Sequence, residues 1–218
     1  MAQIFHASTK VISKASIVIA VLVFGILTLV SYELFASAYF TELNVARVQP
    51  IQFSHEHHVR GLGMDCRYCH AGVENASYAD IPPTHTCMTC HSQIWTTAPM
   101  LEPVRTSYRN NIPLHWLKVH DLPDFVYFNH GIHVTKGIGC STCHGRVDLM
   151  QQTNRVNTLY MSWCLDCHRA PEKYIRPKTE IFSMLWTPPE DQLESGRTLV
   201  QSNHINVHQL TNCSICHR

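Results

Sequence analysis

Charge is scarce in this 218-residue chain. Asp, Glu, Lys and Arg make up 15% of it, and 17 basic against 16 acidic residues leave a net charge of +1 with histidine neutral. Nucleic acid is therefore not expected as a partner, because binding a polyanion by bulk charge needs a surplus of basic side chains. Beyond residue 40, Leu, Ile, Val and Phe are too thinly spread for a rich aliphatic core. Unpaired cysteine is lacking too, which leaves no free thiol for nucleophilic chemistry. Against these shortages stand two excesses, ten Cys and sixteen His.

A long uncharged stretch occurs near the N-terminus, Ala15 to Tyr32. At about 1.5 Å per residue it spans about 27 Å, close to the hydrocarbon thickness of a bilayer. Lys10 and Lys14 precede it and no acid occurs before Glu33. Basic flanks stay in the cytoplasm, so the chain after the stretch is expected on the far side, with Arg47 weakly opposing that orientation. Tyr32, Phe35, Tyr39 and Phe40 suit the outer interface. Residues 1–40 are thus expected to be a cytoplasmic N-terminus and single-pass anchor in the cell inner membrane, and residues 41–218 a periplasmic domain. The competing reading is a cleaved signal peptide, since Ala36-Ser37-Ala38 resembles a cleavage site. The apolar run is longer than a usual signal core, which favours the anchor.

The ten cysteines form one motif five times over. Cys-x-x-Cys-His occurs at Cys66, Cys69 and His70; Cys87, Cys90 and His91; Cys140, Cys143 and His144; Cys164, Cys167 and His168; and Cys213, Cys216 and His217. Two thiols at that spacing reach the two vinyl groups of a porphyrin and form thioethers, and the following His binds iron from the proximal side. A single copy would also suit a redox dithiol or half a zinc site. Neither of those needs the same triplet, closed by His, five times. The expected cofactors are five haem c.

The chain also repeats itself. Phe53-Ser54-His55-Glu56-His57-His58-Val59 is matched 75 residues later by Phe128-Asn129-His130-Gly131-Ile132-His133-Val134. Cys66 to Cys140 is 74 residues, Cys87 to Cys164 is 77 and Cys140 to Cys213 is 73. The organisation expected is two di-haem units, 51–95 and 126–172, and a fifth haem at 202–218. Pro99, Pro103, Pro113 and Pro123 forbid a long helix between the first two, and Pro171, Pro177, Pro188 and Pro189 do so before the last. A short helix is expected from Asp191 to Val200. The fold class expected is mostly irregular with short α-helices under each motif and almost no sheet, stacked porphyrins supplying the core.

Each iron has a second axial position. A side chain there makes the haem an electron carrier, and an open position permits small-molecule chemistry. His55 and His58, and His130 and His133, recur in register with the motifs and are the candidates for four distal positions. For the fifth, Met161 lies three residues before Cys164 and His204 nine before Cys213. A thioether ligand raises the potential relative to a second His, so a Met-ligated haem would collect electrons. His57, His85, His115 and His120 lack a repeat partner and are expected at the surface or against haem propionates. Arg60, Arg67, Arg146, Arg155 and Arg169 are further expected propionate partners.

The Phe-x-His-x-x-His segments ahead of the haem motifs make residues 51–218 resemble small multihaem cytochromes of the c3 and c7 type. Trp116-Leu117-Lys118-Val119-His120-Asp121-Leu122-Pro123-Asp124-Phe125-Val126-Tyr127-Phe128-Asn129-His130 and Met161-Ser162-Trp163-Cys164, with an anchor and five motifs, make nearly the whole chain resemble the pentahaem cytochrome subunit of bacterial alternative complex III. That resemblance implies an electron-transfer subunit, not an enzyme by itself, within a membrane complex that oxidises quinol, commonly menaquinol. Electrons would pass toward a periplasmic acceptor or terminal oxidase. The implied partners are an iron–sulfur subunit, multi-span membrane subunits and a monohaem cytochrome, besides the lipid bilayer. The family's ligand scheme, mostly two His with one His–Met haem, falls on His55, His58, His130, His133 and Met161. The extra His57 makes the first pair less tidy than the second.

Two other functions compete. A stand-alone membrane-anchored multihaem quinol dehydrogenase would need an open axial position near Phe40. A reductase of nitrogen or sulfur oxyanions would need a five-coordinate haem, while all five motifs end in His and distal candidates outnumber the irons. The motif count predicts five covalent haem adducts in the intact mass of the chain matured with a c-type haem system. Cys213→Ala together with Cys216→Ala should lower that count to four.

Overall fold

The computed structural model describes residues 5, 6 and 8–217. Its contacts divide the chain into two compact units, one up to Glu42 and one from Leu43 onward.

The first unit is one long helix, α1 (Thr9–Ala36), followed by the single turn α2 (Ala38–Thr41). At 28 residues, α1 extends well past the uncharged stretch at both ends and is about 42 Å long. None of its residues is buried. It is long and apolar enough to cross a membrane. Its hydroxyls are spent inside the helix, Ser13 Oγ donating to the Thr9 carbonyl and Thr28 Oγ1 to that of Phe24. Back-bonding of this kind satisfies those hydroxyl donors within the helix itself. Phe35 and Tyr39 both pack on Phe40, with centroids 5.0 and 5.3 Å apart.

The second unit is short helices joined by irregular chain, as the prolines and glycines dictate. In order come a π-helical turn (Glu56–Gly61), α3 (Cys66–Cys69), α4 (Thr84–His91), a 3-10 turn (Pro99–Leu101), α5 (Glu102–Asn110), α6 (His130–Thr135), α7 (Cys140–His144) and a 3-10 turn (Val147–Leu149). Then follow α8 (Met161–Arg169), 3-10 turns at Pro171–Lys173 and Lys178–Glu180, α9 (Gln192–Ser202), a 3-10 turn (Val207–Gln209) and α10 (Cys213–Cys216). Among the described residues the β-pairing consists of two isolated bridges, Leu43 with Arg155 and Ile138 with Ile175. The prolines bound the haem-free segments without emptying them. Pro103 sits in the first turn of α5, where its missing N–H costs nothing, and α5 stops at Asn111, whose φ of 54° ends the helix. The helix expected from Asp191 is α9, one residue later.

Apolar packing is sparse and placed beneath the motifs. One cluster, Ile51, Leu101 and Val104, holds Cys87 and Met88 of α4 against Leu114 and Trp116. Another, Val73, Val134 and Ile181, ties the loop after α3 to α6, with Ala79 and Phe182 at its edge. Gly131 lets α6 press onto the chain after α3, because a Cβ there would stand 3.1 Å from the Glu74 carbonyl. Gly196 does the same for α9, where a Cβ would strike the Glu172 backbone. Gln192 Nε2 donates to the Glu172 and Ile175 carbonyls at 2.9 Å each, fixing α9 to the turn at Pro171–Lys173.

With so few buried aliphatics, each carries a large share of the packing. Leu101→Ala should destabilise the haem-loaded chain by about 2–5 kcal/mol. Met100→Ala, half exposed one residue away, should stay within about 0.5 kcal/mol. Chemical denaturation of both variants checks this, and equal costs would refute the assigned role of the cluster.

Candidate haem and axial-ligand sites

Every Cys-x-x-Cys-His lies on a helix: α3, α4, α7, α8 and α10. Residues three apart on a helix share a face, so both thiols of each motif point the same way. The motif histidine follows at or just past the helix end. In α3 the turn is capped by Asp65, whose carboxylate accepts from the Arg67 N–H at 2.8 Å.

The imidazoles are oriented through Nδ1. His70 Nδ1 donates to the Asp80 carbonyl at 2.6 Å, His91 to Ile94 at 3.4 Å, His168 to Leu210 at 2.8 Å and His217 to Phe125 at 3.0 Å. Among the distal candidates, His58 donates to the Ser54 carbonyl at 2.8 Å, His130 to Ser77 at 3.1 Å and His133 to Asn129 at 2.7 Å. A carbonyl can only accept, so each of these Nδ1 atoms carries the proton and each Nε2 has a free lone pair. That is the tautomer a metal-binding histidine needs. His55 Nδ1 meets Thr153 Oγ1 at 2.9 Å.

The repeat seen in the sequence recurs in space. Phe53 lies 4.9 Å from His55 at 88° and 4.4 Å from His58 at 25°. Phe128 lies 4.7 Å from His130 at 90° and 4.5 Å from His133 at 28°. In each segment the phenylalanine stacks on the second imidazole and meets the first edge-on. His57 turns outward, exposed, with Trp95 6.2 Å away.

Distances between rings bear on which pairs could share an iron. With metal–nitrogen bonds of about 2 Å, two imidazoles on opposite sides of one metal stand about 6 Å apart centroid to centroid. His58 and His91 are 6.3 Å apart, His133 and His168 6.2 Å, and His130 and His144 6.4 Å. Burial lowers His55 to about 4, and the neighbouring charge of His70 adds to the effect. Burial lowers His144 to about 3, helped by His120, His130, His70 and His55. Both are thus held in the neutral form that binds metal. The thiols of Cys66 and Cys140 touch, so the first and third motifs are neighbours, and Cys164 of the fourth feels Cys216 of the fifth.

The residues fit c-type haem better than they fit the other uses of this motif. Burial pushes the Cys143 thiol up to about 12 and Cys167 up to about 11, whereas Cys66 is lowered to about 7 by its neighbour Cys140, so the motif thiols do not share the lowered state of a redox dithiol. Among the described residues no three His, Cys, Asp or Glu side chains converge as a metal-ion cage, which zinc would require.

The fifth motif is placed differently. His217 stacks on Phe125, 5.9 Å between centroids, and Tyr127 N–H donates to the Cys216 carbonyl at 2.8 Å. Met161 opens α8 and is 66% exposed. His204 is exposed, with φ at 51°. Neither is among the rings or hydrogen-bonding groups that meet His217.

Two expectations about basic and orphan residues change. Arg67 is taken by Asp65 at 2.9 Å and Arg146 by Asp148 at 2.6 Å, so protein carboxylates already hold these two proposed propionate partners. His120 is not at the surface: its Nε2 is buried without a partner, and its ring lies 4.2 Å from that of His144. Sequence reasoning also missed Arg176, which is 3% exposed and donates from Nη2 to Ser141 Oγ at 3.1 Å and Thr142 Oγ1 at 2.9 Å. Neither residue has a repeat partner or a motif that would have singled it out.

The ring geometry separates His58 from its neighbour. His58→Ala should turn one haem high-spin in the optical and paramagnetic resonance spectra, whereas His57→Ala should leave every haem low-spin.

Residues 126–218 match the family described as cytochrome c7 and related cytochrome c. The chain is also similar to the multiheme cytochrome c subunit of menaquinone reductase from Nitratidesulfovibrio vulgaris. The two are 29% identical over 175 residues, 78% of this chain and 77% of that protein. The fold of residues 126–218 is therefore that of a c7-type domain, and the chain as a whole is mostly short helices and irregular segments preceded by one apolar helix long enough to span a membrane.

Proposed function

We propose that this protein is the electron-transfer subunit of a quinol-oxidising membrane complex of the alternative complex III kind, carrying electrons through five covalently bound c-type haems. Haem iron supplies a one-electron couple when bound. The observation that carries the reading is the set of paired imidazoles at about one-metal spacing, five of the six turned by a backbone carbonyl so that Nε2 is free. A haem clamped on both sides carries electrons and does not bind small substrates.

The same geometry supports an assignment of ligands. His55 serves the haem of His70, His58 that of His91, His130 that of His144 and His133 that of His168. Each Phe-x-His-x-x-His segment thus feeds both haems of its own repeat, the first His to the first haem and the second to the second. Met161 completes the haem of His217, in keeping with the alternative complex III scheme and with the closeness of Cys164 to Cys216. The alternative for that position is His204.

In this reading α1 anchors the chain in the cell inner membrane with residues 43–218 in the periplasm, the basic flank at Lys10 and Lys14 remaining in the cytoplasm. Partners are the multi-span membrane subunits, which hold the quinol site, together with an iron–sulfur subunit and a monohaem cytochrome. The relative from N. vulgaris, named as a subunit of menaquinone reductase, supports a quinone-linked complex.

Low-temperature paramagnetic resonance with a redox titration tests the proposal. Five low-spin centres are expected, one at distinctly higher potential, and Met161→His should remove that one from the high-potential range. The isolated subunit should not oxidise menaquinol. Robust turnover without partner subunits would favour the stand-alone dehydrogenase and overturn the conduit.

A further inference from the structure

The third motif differs from the other four in two ways. Its motif histidine, His144, is half-buried, and among the described residues it donates to no carbonyl. The proximal histidines of the other four motifs all do. In that place His144 has the edge of the His120 ring, 4.2 Å away at 71°. A carbonyl acceptor on Nδ1–H pushes electron density toward the iron and favours the oxidised form. His144 lacks that push.

The second difference is a buried cation. Arg176 lies beneath α7, with Nη2 on the hydroxyls of Ser141 and Thr142, the two residues between Cys140 and Cys143. Nη1 reaches the carbonyls of Glu180 at 3.4 Å and Ser183 at 3.3 Å, and the guanidinium lies 4.2 Å over the ring of Trp186. Nε is buried and unpartnered. Glu180 bonds through its backbone, and its carboxylate acts on the guanidinium only from beyond ion-pair distance, so the positive charge of Arg176 has no carboxylate in contact with it. Gly139 makes the approach possible, since a Cβ there would collide with the guanidinium. A charge so placed is screened little by solvent.

We propose that Arg176 is a positioning and tuning residue that holds the haem of the third motif at a higher potential than the other haems with two histidine ligands. The reduced haem carries one positive charge fewer than the oxidised one, so a buried cation beside it favours reduction. The step concerned is the transfer of one electron from a reduced neighbouring haem to the oxidised third haem, with no proton or bond exchanged. The first and third motifs are in contact through Cys66 and Cys140, which makes the haem of the first motif the natural donor. The inference rests on the five-haem reading above.

Arg176→Met, Arg176→Lys and Thr142→Asp, made in the full-length chain and matured with haem, test it. Thr142→Asp leaves the arginine in place and sets a carboxylate on it. The fourth motif already carries an acid, Asp166, at the equivalent position, so haem attachment tolerates it. In potentiometric titration Arg176→Met and Thr142→Asp should each lower one midpoint by at least tenfold in its equilibrium constant, which is about 59 mV for one electron. Arg176→Lys should leave that midpoint near its original value. An unmoved midpoint in Thr142→Asp overturns the proposal even if Arg176→Met fails to mature. So does a fall in Arg176→Lys as large as in Arg176→Met, because the arginine would then act only through its hydrogen bonds. Intact mass separates the two levels: fewer than five adducts in the unsubstituted chain defeats the five-haem reading, while five adducts with an unmoved midpoint defeats this inference alone.

Discussion

A turn of helix that presents two thiols on one face and an imidazole just beyond is the constraint on which this molecule depends. The geometry is cheap to build, since a single turn suffices, and three of the five copies are little more than that. What a single turn cannot do is hold itself in place. A helix of four residues has almost all its backbone groups unsatisfied and contributes little stability by itself. The chain answers by tying three of the motif histidines to a distant carbonyl: His70 to Asp80, His168 to Leu210 and His217 to Phe125. One hydrogen bond thus fixes both the position of the motif and the tautomer of the imidazole.

That arrangement explains why so little aliphatic core is needed. The apolar cluster around Val104 sits under the motif helix α4, and the one around Val134 ties the loop after the motif helix α3 to α6. Elsewhere packing is replaced by close backbone approaches at Gly131 and Gly196 and by side chains that bond to carbonyls, as Gln192 does. A scaffold of this kind places polar groups accurately and buries few methyl groups. It suits a domain whose interior is organised around prosthetic groups.

Electrostatics then distinguish sites that the sequence makes look alike. The five motifs differ only in their two intervening residues, yet one of them rests on a buried guanidinium and the others do not. Arg67 and Arg146, which stand nearer the motifs in sequence, are neutralised by Asp65 and Asp148. Arg176, far along the chain in the Pro-rich segment, is buried with no carboxylate within ion-pair distance. Proximity along the chain was thus a poor guide to which arginine carries influence, because a carboxylate two residues away captures a flexible cation first.

The motif spacing determined the thiol faces and the place of the histidine that closes each motif, because both depend only on helical period. The 75-residue repeat determined that the two Phe-x-His-x-x-His segments would be built alike, and Phe53 and Phe128 stack on His58 and His133 with nearly the same distances and angles. The uncharged stretch determined the long N-terminal helix. Tertiary structure alone decided that His58 and not His57 faces His91, that His120 leaves the surface to lie against His144, and that Arg176 runs beneath the third motif. Those outcomes depend on contacts between residues tens of positions apart. Such contacts are set by which loops pack together, and a local pattern of residue types carries no record of them.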